Sequence, residues 1–191
     1  MKDSAIKPSM CDVFREPLAY FFVGRPAYKR DLDPDAAEWE LPVCFVFEYD
    51  ISGAKRIYPF DTGAFAKTRY PQFLQMMALD KFEVTGLDRA PDRIIGAFFG
   101  GTRNYFRLKT ESEESFRAKF ALGAFDAEVK AYHKLILAKQ SRADDRRTTI
   151  EVQLDKSTLI TAANLLAVIL PEPYFLNAEV RAYFRSKRRL V

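Results

Sequence analysis

The chain has 191 residues, of which 48% are hydrophobic and 29% are charged, and its formal net charge is +4. This balance excludes a disordered or collagen-like chain and is typical of a soluble globular domain of ordinary size. The longest uncharged run, residues 157–171, is shorter than the roughly 20 residues that cross a bilayer, and residues 1–10 contain no hydrophobic signal core. Since Cys11 and Cys44 form no C-x-x-C pair, we expect a reduced, cytoplasmic protein without a membrane segment.

The charge is unevenly distributed along the chain. Residues 1–50 contain 6 Lys/Arg and 10 Asp/Glu, a net charge of −4, whereas residues 51–191 contain 24 and 16, a net charge of +8. A basic surface in the second part would attract the phosphates of a nucleotide or a nucleic acid. Basic side chains also complement the dipole at the end of a helix, which favours a solvated helix end for the tail residues Arg181, Arg185, Lys187, Arg188 and Arg189.

Three short runs in the first part of the chain have strand character. Residues 17–23 are apolar and aromatic and are followed by Gly24, and residues 42–48 are rich in β-branched and aromatic side chains. Residues 55–60 form a third extended segment, which Pro59 restricts to the edge or the end of a sheet because proline has no backbone N–H to donate.

The middle of the chain predicts a helical segment and a hairpin. Asp61 or Thr62 is a suitable N-cap for helical spacing over residues 62–78. Residues 94–108 predict a β-hairpin, because two apolar arms flank Gly100–Gly101, where both residues can adopt positive φ. A phosphate-binding loop is disfavoured at these glycines, since no Gly-Lys-Ser/Thr follows them.

The second part of the chain predicts one long helix over residues 111–140, with Ser112 as its N-cap and an apolar stripe at intervals of three and four. His133, the only histidine, is expected at the surface or boundary of this helix. Further elements are expected at residues 148–154 (strand), 164–170 (strand) and 177–189 (basic helix).

The order of these elements predicts an α+β fold. We expect one domain over residues 1–191, in which the long helix packs on a mixed or antiparallel central sheet. Neither an internal repeat nor a low-complexity linker divides the chain.

Glu151 is the residue to which chemistry is most readily assigned. Because side chains alternate along a strand, Thr149, Glu151 and Gln153 share one face, and the apolar residues between them share the other. We expect the apolar face to pack on the core and the polar face to line a surface or cleft. An ordinary half-exposed strand is the alternative interpretation.

The segments SRADDRRTTIEVQ and LLAVILP resemble the last part of NAD-dependent ADP-ribosyltransferases, especially the DarT-like branch that modifies nucleic acid. In that branch a basic run leads into a strand that carries the catalytic glutamate, and an apolar strand follows. The corresponding positions here are Arg146 and Arg147, then Thr149 and Glu151, then residues 165–170. RIYPFD is similar to an aromatic-Pro-Phe segment of the same branch.

The resemblance implies an NAD-dependent mono-ADP-ribosyltransferase in which Glu151 is catalytic. Arg25, Tyr28, Tyr58 and Thr149 would shape the NAD pocket, and NAD would be a substrate, with no metal required. The partners implied are a nucleic-acid or protein acceptor and an inhibitory protein, as for a toxin or defence enzyme. One carboxylate can stabilise the oxocarbenium character that develops when the nicotinamide–ribose bond breaks, and an arginine can bind the diphosphate.

Two other classes of function remain open. Glu151 and Gln153, preceded by Asp144 and Asp145, resemble a variant of the Mg²⁺-dependent PD-(D/E)xK nuclease core. A non-catalytic module could instead bind an acidic partner through its basic face. Arg25 has a structural alternative as well, a salt bridge to the acidic residues 31–35.

Overall fold

The computed structural model describes residues 5–25, 37, 40–48, 50–138, 145–161 and 163–186. In this part of the chain five strands are followed by six α-helices, then by three strands and two further α-helices. The strands are β1 (Ala5–Ile6), β2 (Ser9–Met10), β3 (Pro17–Phe22), β4 (Cys44–Phe47), β5 (Arg56–Tyr58), β6 (Glu151–Leu154), β7 (Thr158–Leu159) and β8 (Leu165–Ile169). The helices are α1 (Thr62–Ala66), α2 (Gln72–Gln75), α3 (Ala90–Ile94), α4 (Thr102–Phe106), α5 (Glu113–Lys119), α6 (Ala127–Leu137), α7 (Glu172–Leu176) and α8 (Ala178–Ser186). The predicted α+β class is confirmed.

An antiparallel sheet of four strands, in the order β2-β3-β6-β5, forms the centre of the fold. β6 lies between β3 and β5, so Glu151 is paired with Phe22 on one side and with Tyr58 on the other. The remaining strands form two antiparallel ribbons, β1-β7 and β4-β8. The strands predicted at residues 17–23, 42–48, 55–60, 148–154 and 164–170 are therefore all present, each somewhat shorter than expected.

Aromatic rings fill the core beside this sheet. Phe60 is fully buried, and its ring lies 5.0 Å from that of Phe82, 5.3 Å from Tyr70 and 5.7 Å from Phe65. The rings of Phe82 and Tyr70 meet that of Phe60 edge to face, whereas the ring of Phe65 is stacked on it, and both arrangements add stability beyond area burial alone. Since Phe60 immediately precedes Asp61, this packing fixes where helix α1 begins.

The hairpin predicted over residues 94–108 is wrong. The first arm is helical, because α3 continues as a π-helix over Ile95–Phe99, and the second arm is α4. Gly100 and Gly101 have φ of +69° and +140°, so the glycine pair does turn the chain, but it joins two helices. The apolar residues Ile94, Phe99 and Tyr105 are buried on helices rather than on paired strands.

The single long helix predicted over residues 111–140 is also wrong, because it is divided into α5 and α6. Ser112 is the N-cap, as expected, and accepts a hydrogen bond from the Ser115 amide at 3.2 Å. The helix ends after Lys119, and Ala121 has a φ of +50°. The Asp126 carboxylate then accepts a hydrogen bond from the Gly123 amide at 2.6 Å, which stabilises the turn between the two helices.

His133 lies in the core, which corrects the prediction of a surface or boundary residue. Its exposed fraction is 1%. The break between α5 and α6 lets Phe116 stack on the imidazole, with ring centroids 3.9 Å apart and planes inclined by 5°. Burial lowers the pKa of His133, because desolvation disfavours the charged imidazolium.

The C-terminal basic helix predicted from Asn177 is present as α8, which begins one residue later, at Ala178. The predicted end, residues 187–189, lies outside the described residues. None of the helices in the described ranges is long and apolar enough to span a bilayer.

Candidate functional site

The hydroxyl of the buried Tyr105 takes part in the hydrogen bonding at the end of the β3–β6 pair. The Val23 amide donates to the Ile150 carbonyl at 2.9 Å. The reciprocal backbone bond, from the Ile150 amide to the Val23 carbonyl, is replaced by two bonds to a side chain. The hydroxyl of Tyr105 donates to the Val23 carbonyl at 2.8 Å and accepts from the Ile150 amide at 3.1 Å. A side chain from α4 therefore completes the strand pairing and holds the two strand ends apart by the width of one oxygen atom.

Gly24 turns the chain at this point. Its φ of +71° lies in the left-handed region, which glycine adopts at little cost. A Cβ at this position would lie 3.2 Å from the ring of Phe106. The turn directs the next residue, Arg25, back toward the segment that precedes β6.

Arg25 is bound to that segment through its side chain. Its Nε and Nη2 donate to the Thr149 hydroxyl at 3.0 and 2.5 Å, and Nη2 also donates to the Thr148 hydroxyl at 3.0 Å. The guanidinium carbon lies 5.0 Å from the centre of the Tyr105 ring, within the range of a cation–π contact. With 3% of its surface exposed, Arg25 is an internal residue. The acidic residues 31–35, its alternative partners, lie outside the described residues.

Glu151 is a buried carboxylate whose two oxygens both accept hydrogen bonds. Oε2 accepts from the Thr62 amide at 3.1 Å, and Oε1 accepts from the Thr62 hydroxyl and the Gln153 amide nitrogen, each at 2.7 Å. Burial raises the pKa of Glu151 to about 7, although the hydrogen bonds from Gln153 and Thr62 act in the opposite direction. The neighbouring charge of Asp61 raises it further.

The polar face of β6 does not line an open surface, contrary to expectation. Thr149, Glu151 and Gln153 each have at most 1% of their surface exposed. Helix α1 covers them, since Asp61, its N-cap, accepts from the Ala64 amide at 2.9 Å and Thr62 contacts Glu151 directly. The predicted N-cap at Asp61 is confirmed. Both faces of β6 are thus buried. The alternation of side chains along the strand could not predict that a helix packs on its polar face.

Two of the residues predicted to shape the NAD pocket are tyrosines, Tyr58 and Tyr28. Tyr58 lies beside Glu151 in the sheet, but it is buried, with its hydroxyl 3.3 Å from the Glu83 carboxylate and its ring 6.0 Å from that of Phe14. It is therefore part of the core next to the site, and stacking on nicotinamide would require it to be uncovered. Tyr28 lies outside the described residues.

A hollow of about 550 Å³ borders the same strand pair on its other face. Phe21 and Val152, which are paired with each other and alternate with Phe22 and Glu151, contribute to its wall. Arg25 also lines it, whereas Glu151 does not. The opposite wall is apolar and comes largely from residues 42–47 and from Ile51 and Ile169.

The metal-dependent alternative involves residues that are only partly described. Asp144 lies outside the described residues, and for Asp145 only the backbone is described. Among the side chains that are described, there is no group of three or more His, Cys, Asp or Glu residues that could hold a metal ion. The nuclease interpretation remains a prediction.

Comparison of the chain with protein-family models, with curated proteins and with solved structures gave no match.

Three residues make contacts in the candidate site that the sequence did not predict. Gln153 was recognised as sharing a face with Glu151, but its hydrogen bond to the carboxylate was not foreseen. The sequence predicts Thr62 only as a helix cap. Its position next to the N-cap Asp61 is the signal that could have indicated more, because the N-terminus of a helix can donate hydrogen bonds to a buried carboxylate such as that of Glu151. Tyr105 carried no local signal, because it was assigned to a hairpin arm that proved to be helical.

Proposed function

We propose that this chain is an NAD-dependent mono-ADP-ribosyltransferase in which Glu151 is the catalytic carboxylate. The observation that carries the proposal is the pairing of β3 with β6, which brings Arg25 and Glu151 to the same end of two adjacent strands. Arg25 hydrogen-bonds to Thr149, two residues before Glu151. The sequence resemblance assigns these three residues to one NAD site, and their proximity supports that assignment.

The chemistry that we propose for Glu151 is electrostatic. Positive charge develops on the ribose as nicotinamide leaves, and a carboxylate in a buried site stabilises that charge more strongly than it would in water. The hydrogen bond from Gln153, which lies on the same strand, orients the carboxylate for the reaction, whereas Thr62 donates to it only until helix α1 moves. Because the pKa of Glu151 is raised to about 7, the ionised form that this role needs becomes the major form only above that pH.

The proposal requires helix α1 to move. Glu151 has 1% of its surface exposed and contacts the first residue of α1, so the ribose can reach it only when the Asp61–Thr62 segment withdraws. α1 is five residues long, and a short element can be displaced at a lower cost than the central sheet. The hollow beside Arg25 is in the size range of ligand pockets and offers space for an aromatic base of the dinucleotide.

The acceptor that we propose is a nucleic acid or another macromolecule, in a cytoplasmic toxin or defence enzyme with an inhibitory partner. The net charge of +8 over residues 51–191 supports an acceptor that carries phosphates. A binding module with a basic face would share this charge, but it would not release nicotinamide.

The test is transfer from NAD labelled in its adenosine part, with nicotinamide release measured in parallel. We expect Glu151→Gln to lower both rates at least about 100-fold and to retain the far-UV circular dichroism of the wild type. Glu114→Gln, which neutralises an exposed carboxylate on α5, is the matched control and should react at the wild-type rate. Chelator should leave transfer unchanged, whereas it would stop a Mg²⁺-dependent nuclease. Undiminished transfer by Glu151→Gln would remove this residue from the mechanism.

A further inference from the structure

Arg147 carries a half-buried guanidinium that forms no ion pair with any of the described residues. The guanidinium carbon lies 5.8 Å from the centre of the Tyr70 ring. Its Nε is buried and has no hydrogen-bond partner among the residues that the structure describes. The adjacent Arg146 differs, because its Nε lies 3.7 Å from the Asp61 carboxylate.

The position of Arg147 is fixed by its backbone. It lies in a single 3₁₀ turn, Asp145–Thr148, immediately before β6. The Tyr70 hydroxyl donates to the Arg147 carbonyl at 2.9 Å, so the same tyrosine anchors the main chain and supports the guanidinium with its ring. An arginine held in this way loses little conformational entropy when it binds a ligand.

Arg147 lies next to the candidate site, because the adjacent Arg146 is 3.7 Å from Asp61, and Thr62, which follows Asp61, donates to Glu151. Burial raises the pKa of Tyr70, and the charges of Asp61 and Glu151 raise it further, whereas that of Arg147 lowers it. Tyr70 is therefore within electrostatic range of all three charged groups. Asp61 is already paired with Arg146 and Glu151 accepts hydrogen bonds from Thr62 and Gln153, which leaves Arg147 as the positive group without a partner among the described residues.

A guanidinium in this setting is suited to an oxyanion. Partial burial without a partner is unfavourable, because the cation loses hydration and gains only a weak contact with the tyrosine ring. The planar arrangement of N–H groups matches the spacing of two phosphate oxygens and can bind them in a bidentate manner. Carboxylates from a second protein are less well suited, since the guanidinium is half-buried rather than fully exposed.

We propose that Arg147 binds a phosphate oxyanion, and that this oxyanion is part of the diphosphate of the dinucleotide used by the proposed transferase. This inference rests on the proposed function for the identity of the ligand. The site lies four residues before Glu151 along the chain, which favours a ligand that reaches both residues at once. The phosphodiester backbone of a nucleic-acid acceptor has the same chemistry, but it would more naturally follow a row of exposed cations.

Arg147→Gln tests the assignment, because glutamine keeps some hydrogen-bonding capacity and removes the charge. Binding of inorganic pyrophosphate is measured by calorimetry, and the KM and kcat of nicotinamide release are measured with NAD. We expect pyrophosphate affinity to fall at least about ten-fold and KM for NAD to rise by a similar factor. The value of kcat should change by less than about two-fold, because the lost contact stabilises the bound substrate and the transition state equally. Arg147→Lys should be intermediate, since a lysine keeps the charge without the planar fork.

Arg93→Gln is the matched control, since it removes the same charge from an exposed position on α3, and it should behave as the wild type in both measurements. Wild-type pyrophosphate affinity and KM in Arg147→Gln would overturn the proposal. Loss of affinity for a single-stranded oligonucleotide, with pyrophosphate and NAD unaffected, would overturn it in favour of the acceptor backbone. If the wild type releases no nicotinamide, the proposed function fails, while the pyrophosphate measurement still decides whether Arg147 binds phosphate. Should Arg147→Gln be unfolded by circular dichroism, Arg147→Lys decides in its place.

Discussion

The guanidinium of Arg25 and the hydroxyl of Thr149 are hydrogen-bonded at 3.0 and 2.5 Å although 124 positions separate them in the chain. This contact closes the end of the β3–β6 pair, just beyond the last paired residues, Phe22 and Glu151. Any change that separates the two strands will therefore displace the arginine and the glutamate together. Fold stability and the geometry of the candidate site are coupled at this point.

The stability of the fold should depend on pH through Glu151. Below about pH 4.5 the carboxyl is protonated in both the folded and the unfolded states. Between pH 4.5 and about 7 the folded protein holds the proton and the unfolded chain does not, so a rise in pH favours unfolding. The shift corresponds to about 3 kcal/mol of unfolding free energy lost across this range. Urea denaturation of the wild type and Glu151→Gln at pH 4.5, 6 and 8 measures it.

In Glu151→Gln this pH dependence should be absent, since glutamine does not titrate, and all other groups cancel in the comparison. Parallel stability curves for the two proteins would show that Glu151 has an ordinary pKa.

The activity should respond to pH in the opposite direction. If the ionised Glu151 is required, kcat/KM for nicotinamide release, which reports on the free enzyme, rises with a midpoint near pH 7. Thr62→Val removes a hydroxyl that donates to the carboxylate at 2.7 Å and lowers its pKa, so the midpoint should move to higher pH. Thr62→Ser keeps the donor and should retain the wild-type midpoint. A midpoint that is the same in Thr62→Val and Thr62→Ser would contradict the role of this hydrogen bond.

Tyr105→Phe should destabilise the protein by about 2 kcal/mol, because it leaves the buried Ile150 amide without its partner and removes one of the two hydrogen bonds to the Val23 carbonyl, the other coming from the Arg25 amide. Tyr132→Phe is a control with the same change in chemistry, since the Tyr132 hydroxyl is buried without a hydrogen-bond partner. We expect this second variant to be as stable as the wild type or more stable. Chemical denaturation compares the two, and equal stability of both variants would show that the Tyr105 hydroxyl does not support the strand end.

Gly24→Ala should lower the free energy of unfolding by about 1–2 kcal/mol, because alanine is strained at positive φ and its Cβ would approach the ring of Phe106. The same substitution at Gly96, which has ordinary φ and nothing within 4 Å of the added Cβ, should be neutral or stabilising. Nicotinamide release should also fall in Gly24→Ala, since the turn directs Arg25. Full activity and stability in that variant would mean that the backbone at residue 24 relaxes without consequence.

Local patterns predicted the strands well and the helices less well. Residues 17–23 and 148–154 are rich in the side chains that favour strands, and they form β3 and β6. The hairpin prediction over residues 94–108 was wrong, because a glycine pair can turn the chain between helices as easily as between strands. The prediction of one long helix was wrong because the apolar stripe continues through residues 121–126, whereas the helical backbone is interrupted there.

The site was predicted in part. The sequence indicated Glu151, Arg25 and Thr149, and the structure brings them to one strand end. It gave no indication that α1 would cover the polar face of β6, since that contact joins Thr62 to a residue 89 positions further on. Contacts across such distances depend on the whole fold, and no local propensity encodes them.

The central position of β6 in the sheet has a consequence for biosynthesis. Its partners β3 and β5 leave the ribosome some ninety or more residues earlier, and until the segment around residue 154 has emerged they have no strand to join them. Pairing between such distant segments is slow to form. During translation the chain therefore carries Arg25 without Glu151, and the candidate site cannot form before the segment that contains β6 has emerged.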